Sequence, residues 1–212
     1  SPALRAAAPP SPTGRGGRGR GWGVRSTIFK LSALFALDAF AGGFVVQSLL
    51  AYWFALKFHA GSEILGPVFF AVNVIKAASY QIAVALADRI GLINTMVFTH
   101  LPSNILLMLI PFMPTLPSAI ACLLARHVLA QMDVPARGSY VVAVVPPEAR
   151  TQATGMTTMA RTIAQALGPA LAGFALQLAN LGAPFFIGGT LKIVYDLALY
   201  FNFKAIKPEG ET

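Results

Sequence analysis

Between Leu31 and Phe203 the chain is a succession of long apolar runs separated by short polar connections. About 20 mostly apolar residues are enough to cross the hydrocarbon core of a bilayer as a helix. Six runs of that order are legible, at about 30–56, 64–86, 92–112, 118–134, 151–178 and 184–203. They are too long for strands and lack period-two alternation. In lipid every backbone polar group must find an internal partner, which favours helices. The sequence therefore predicts an all-α membrane protein built as a six-transmembrane-helix bundle, with Pro135 ending or kinking the fourth helix. Charged residues make up 11% of the chain, where soluble domains carry about 25%. Such a surface must face lipid.

The formal net charge of +8 is unevenly placed. Arg5, Arg15, Arg18, Arg20, Arg25 and Lys30 crowd the first 30 residues, where no acid balances them. Residues 1–28, rich in Pro, Gly, Ala and Arg, read as a disordered basic linker, 29–204 as the bundle and 205–212 as a short tail. The missing initiator methionine suits a linker cut from a longer chain. Arg89, Arg137, Arg150, Lys204 and Lys207 fall on the same side as this segment, whereas the opposite connections carry Lys57 alone. The positive-inside rule places both termini in the cytoplasm, in a plasma or inner membrane. A basic tail there meets anionic lipid, and nucleic acid is not an expected partner.

Several function classes drop out. One cysteine, Cys122, supports neither an intramolecular disulfide nor a zinc cluster, and reads as a packing residue. HExxH, GxSxG and GxxxxGK[ST] are all absent, so no catalytic residue, metal or cofactor is expected. Transport driven by an ion or proton gradient remains. The alternative is a non-transporting polytopic membrane protein, either a scaffold or a membrane-embedded enzyme.

At the second-to-third connection the chain reads Leu86-Ala87-Asp88-Arg89-Ile90-Gly91. This resembles the cytoplasmic loop motif of the major facilitator superfamily, G-x-L-A-D-R-x-G-R-R. Val84 stands at the first glycine, and Leu92 and Ile93 replace the basic pair, as in the weaker second copy of the motif. An Asp88–Arg89 pair at a helix end suits a latch onto a neighbouring terminus, and Gly91 permits a tight reversal. Gly168-Pro169-Ala170-Leu171-Ala172-Gly173 resembles a Gly-Pro helix motif of the same superfamily. Ala160, Ala164, Gly168 and Ala172 form a stripe of small residues that allows close helix packing. The segments 96–104 and 131–137 are similar to permeases of this group. The resemblance covers about Phe29 to Pro208 and implies helices seven to twelve, the C-terminal half. It also implies that a six-helix N-terminal half is missing as partner, that 1–26 matches the central cytoplasmic loop, and that a small solute is carried by alternating access.

An ionisable side chain in hydrocarbon costs at least about 2.5 kcal/mol, so it marks a pathway, a pair or a gate. Asp38 lies about 12 Å into the first helix. The resemblance puts that helix on the central cavity, where Asp38 would bind a proton or a cationic group. Arg126, beside His127, and Arg161 lie near mid-depth and suit an anion or proton site. Gln47 and Asn73, near the middle of the first two helices, complete the expected pathway. Lys76 is expected to snorkel, Asp133 and Arg137 to pair locally, and Lys192 and Asp196 to neutralise each other at the same spacing. His100, Asn104, Tyr80 and Gln81 suit interhelical hydrogen bonds. The slight excess of basic residues favours an organic anion.

Overall fold

The computed structural model describes residues 17–178 and 180–204. Among them every regular element is helical: α1 (Gly17–Gly43), α2 (Gln47–Phe58), α3 (Ser62–Ile90), α4 (Leu92–Leu109), α5 (Leu116–Ala130), α6 (Asp133–Ala143), α7 (Arg150–Leu178) and α8 (Ala183–Phe203). The chain is an all-α membrane bundle. Four segments, 23–58, 62–90, 92–112 and 183–203, are long and apolar enough to cross a membrane by length and composition. The other two expected spans are also present as helices. One, α5–α6, is broken, and α7 carries more polar side chains than the rest. Phe29, Phe70, Phe98, Phe174 and Phe201 are all mostly exposed, as a lipid-facing surface requires.

Three expected boundaries shift. The first span is not one helix: α1 stops at Gly43, and α2 restarts at Gln47 after an extended Val46. Gln47 therefore opens a helix rather than sitting mid-helix. The fourth span breaks at Gln131–Met132, before Pro135, and α6 carries the helix on to Ala143. Pro135 falls in the first turn of α6, where its missing N–H costs no intrahelical bond. Lastly, helix α1 begins at Gly17, well before Lys30, so part of the expected linker is helical. Ile28 is buried and Val24 packs beside it in an apolar cluster, a contact that the Gly/Arg-rich composition hid. The expected linker at 1–16 and tail at 205–212 lie outside the described residues.

Local chemistry explains the turns. Thr115 and Ser118 form a capping box that starts α5, with Pro117 in its first turn. Gly91 ends α3 and starts α4 at φ 84°, a conformation that favours glycine, and its N–H donates to Ala87 O at 2.9 Å. Lys57 reaches across from α2 and donates to the carbonyls of Pro111 (2.5 Å) and Met113 (3.0 Å), occupying carbonyls at the end of α4 that would otherwise be unpaired. This ties the turns after α2 and α4 together at one end of the bundle.

Two apolar clusters form the core. Around Trp53 gather Phe44, Phe54, Phe69, Leu107, Leu123 and Phe185; around Tyr195 gather Phe35, Met96, Tyr140, Leu199 and Phe203. Along α1, α4, α7 and α8 the residues contributed to one cluster precede those contributed to the other. The gap between them holds Asp38, His100, Arg161 and Lys192. The buried charges of these four helices thus lie in a middle layer.

The tightest helix contact is between α1 and α7. A Cβ added at Gly168 would lie 2.5 Å from the Gly43 Cα and 2.6 Å from the Phe40 carbonyl oxygen. Pro169 packs beside it, and Ala172 is fully buried in the same seam. Gly173 is different: nothing stands within 4 Å of an added Cβ, so the second glycine of the motif is not a packing requirement. Gly168→Val should therefore force α1 and α7 apart, and lower the melting temperature of the detergent-purified protein by the equivalent of about 1–3 kcal/mol or more. Gly173→Ala should leave it unchanged or slightly raised, because alanine favours helix. Equal melting of the Gly168→Val variant and the native protein would contradict the close crossing.

Candidate functional site

Asp38 sits about four-fifths along α1 with its side chain buried. A buried carboxylate is tolerated only when paired, and three other helices supply partners. Lys192 of α8 donates to Oδ1 at 2.5 Å, Arg137 of α6 to Oδ2 at 3.0 Å, and Arg161 of α7 to Oδ2 at 3.2 Å. His100 of α4 brings Nε2 to 3.8 Å from Oδ1. Its other ring nitrogen, Nδ1, lies 2.7 Å from Asp196 Oδ1, and Asn104 donates to Asp196 Oδ2 at 2.9 Å. Arg137 bonds Asp133 as well, at 3.0 Å, and stacks 5.7 Å from the centre of the Phe35 ring. Five helices meet in one network. Three carboxylates (Asp38, Asp133, Asp196) balance three cations (Arg137, Arg161, Lys192) when His100 is neutral.

The network forms one wall of a cavity of about 360 Å³. That is within the range of about 300–1,000 Å³ usual for solute sites. Asp38, His100, Arg137, Arg161 and Lys192 line that wall. Lys76, Arg126, His127 and Gln131 line another part, and Val46, Leu50, Phe69 and Val72 supply apolar surface. Both helix breaks, at 44–46 and 131–132, border the same space. Tyr80 of α3 reaches the second break, 3.4 Å from Gln131 Oε1.

Of the expected pathway residues, Asp38, Gln47, Arg126 and Arg161 all line this cavity. Asn73 does not: it is exposed, and its amide donates to Phe69 O of its own helix at 2.9 Å. Lys76, expected to reach for the interface, is half-buried on the cavity wall. Lys192 and Asp196 do not neutralise each other. Lys192 turns to Asp38 on α1 and Asp196 to His100 on α4, because each finds a closer partner across a helix interface than along its own helix. The local Asp133–Arg137 pair forms, and Arg137 extends it to Asp38. His100 and Asn104 hydrogen-bond between helices, and Cys122 Sγ lies 3.3 Å from Leu106 O, a packing contact. Asp88 and Arg89 are exposed at the end of α3. Among the described residues, no group of three or more His, Cys, Asp or Glu side chains is placed to hold a metal ion.

A family model described as Major Facilitator Superfamily matches residues 6–212. The chain is also 28% identical over 182 residues to an uncharacterized membrane protein of Saccharomyces cerevisiae. That match covers 85% of this chain and 41% of the yeast protein, so the chain spans less than half the length of this relative.

Removing the Asp38 carboxylate would leave three cations facing one another. Asp38→Ala should cost about 3–5 kcal/mol, measured as a lower melting temperature in detergent. Adding Lys192→Met to Asp38→Ala should recover part of that loss, giving a non-additive double-mutant cycle. Strict additivity would mean that the two groups are not coupled.

Proposed function

The chain belongs to the major facilitator superfamily, and from that membership we propose that it forms half of a secondary active transporter carrying a small solute by alternating access. The membership points to transport rather than to catalysis. The observation that carries the mechanism is the sharing of Asp38 among α6, α7 and α8 at the edge of a cavity large enough for a small solute. One carboxylate holds three helices to α1. Any event that draws a cation from it, or changes its charge, loosens all three contacts together, which is what a rocking bundle needs. The relative's greater length supports a partner half of six helices facing this one. In this reading both termini lie in the cytoplasm, and the exposed Asp88 and Arg89 latch onto a helix end of the partner half.

His100 suits the coupling step. With Nδ1 donating to Asp196, its Nε2 faces Asp38, so a proton gained there would lie between two carboxylates on different helices. The network passes from charge balance to an excess of one positive charge, and the hold of Asp38 on its other partners is redistributed.

In proteoliposomes holding the assembled transporter, Asp38→Asn should reduce gradient-driven uptake by about a hundredfold, the equivalent of roughly 3 kcal/mol. Asp38→Glu should keep part of it. His100→Gln should abolish the response to an imposed pH gradient while solute exchange continues. Full uptake by the folded Asp38→Asn protein would refute the role given to this carboxylate.

A further inference from the structure

We infer that the cavity receives a small amphipathic organic anion, its charged group held by Arg126 and Lys76; this deepens the transporter reading and rests on it. The cavity wall and its adjoining network contain five cations (Lys76, Arg126, Arg137, Arg161, Lys192) against three carboxylates (Asp38, Asp133, Asp196), an excess of two. The carboxylates are already engaged by Arg137, Arg161, Lys192 and His100, all on one side. Arg126 and Lys76 make no ion pair among the described residues, and they are close enough to repel each other.

Arg126 is the sharper signal. It is 7% exposed, and its Nε has no hydrogen-bond partner. Among the described residues its side-chain contact within hydrogen-bond range is His127 Nε2, 3.4 Å from Nη1. His127 Nδ1 lies 2.8 Å from Leu123 O and donates to it, which leaves Nε2 to accept from the guanidinium. His127 thus orients Arg126 without neutralising it. Asp38 attracts Arg126 from a distance but does not pair with it, and a buried guanidinium with an unused donor and no carboxylate in contact is destabilising. An incoming carboxylate would supply both the charge and the acceptor, in the geometry that arginine favours.

A cationic solute would add to the repulsion, and a neutral one would leave it in place. The neighbouring wall, with Leu50, Phe69 and Val72, offers an apolar surface for the body of the molecule. The counter-charge could instead come from a carboxylate of the partner half, so the test must separate these two sources.

The assembled transporter, purified in detergent, is melted with acetate, butyrate or benzoate, and with choline and benzyl alcohol as cationic and neutral controls. Carboxylates should raise the melting temperature, increasingly with the size of the apolar body, and the controls should not. Arg126→Gln should weaken benzoate binding by about ten- to a hundredfold, and Arg126→Lys should weaken it less. Without ligand, Arg126→Gln should melt no lower than the native protein, since it removes a buried charge that has no ion-pair partner. A lower melting temperature without ligand, together with no effect of any carboxylate, would assign the counter-charge to the partner half and overturn the inference. Equal stabilisation of native and Arg126→Gln protein by benzoate would overturn it too. Uptake of choline or a neutral solute untouched by Arg126→Gln would defeat the anion assignment and leave the transporter reading standing. Failure of every solute to cross would defeat that reading itself.

Discussion

Asp38 is buried where α1, α6, α7 and α8 converge, and the middle of the bundle is organised around its charge. Ionised carboxylates are expensive to bury, and the cost is offset only when cations come close with good geometry. Here three arrive from three helices, 99, 123 and 154 residues away in the chain. Each cation would itself be unfavourable at this depth without Asp38. The arrangement is therefore mutually dependent: without Asp38, Arg161 and Lys192 lose their carboxylate partner and Arg137 keeps only Asp133. A layer of this kind specifies how the helices meet, which lipid-like apolar contact alone does weakly.

The apolar clusters on either side complete that specification. The cluster around Trp53 packs one end of the bundle, and the cluster around Tyr195 packs the other. Between them the helices are held by charge; the α5–α6 interruption borders this layer, and the α1–α2 interruption lies at its edge, where Phe44 and Val45 join the Trp53 cluster. Interrupted helices are tolerated inside a membrane protein where the freed backbone borders a cavity rather than lipid. Both breaks satisfy that condition. Cavity, breaks and charges therefore have one cause, a middle layer that the apolar core does not fill.

Much of this was legible in the sequence because bilayer thickness imposes a length on every span. The limits of α7 and α8, and the start of α3, follow from apolar run length and the turn residues around them. So does the reversal at Gly91, where the loop motif requires a conformation suited to glycine. The first break follows Gly42-Gly43, a turn signal masked by the apolar residues around it, and the second, at Gln131–Met132, has no proline or glycine of its own. Charge pairing was read by spacing along one helix. That succeeded for Asp133 with Arg137 and failed for Lys192 with Asp196, for the same reason. Spacing of four makes a pair possible, and the neighbouring helix decides whether a better partner exists. Spacing alone therefore treats Arg137 and Lys192 as local, although both face the cavity.

The charges divide by role. Those on α1, α4, α6, α7 and α8 are paired among themselves and hold the helices in place, and their sum is zero with His100 neutral. Those on α3 and α5, Lys76 and Arg126, line the same cavity without a carboxylate in ion-pair contact among the described residues. A site that bound its solute through the paired set would have to break helix contacts to do so. One that binds through the unpaired set gains a missing interaction and leaves the bundle intact. The position of Arg137 and Lys192 on the same cavity then matters in a second way: a solute anion seated at Arg126 also attracts cations now held by Asp38. Occupancy and the grip of Asp38 on its three helices are thereby coupled through ordinary Coulomb attraction in a poorly screened space, without any further part.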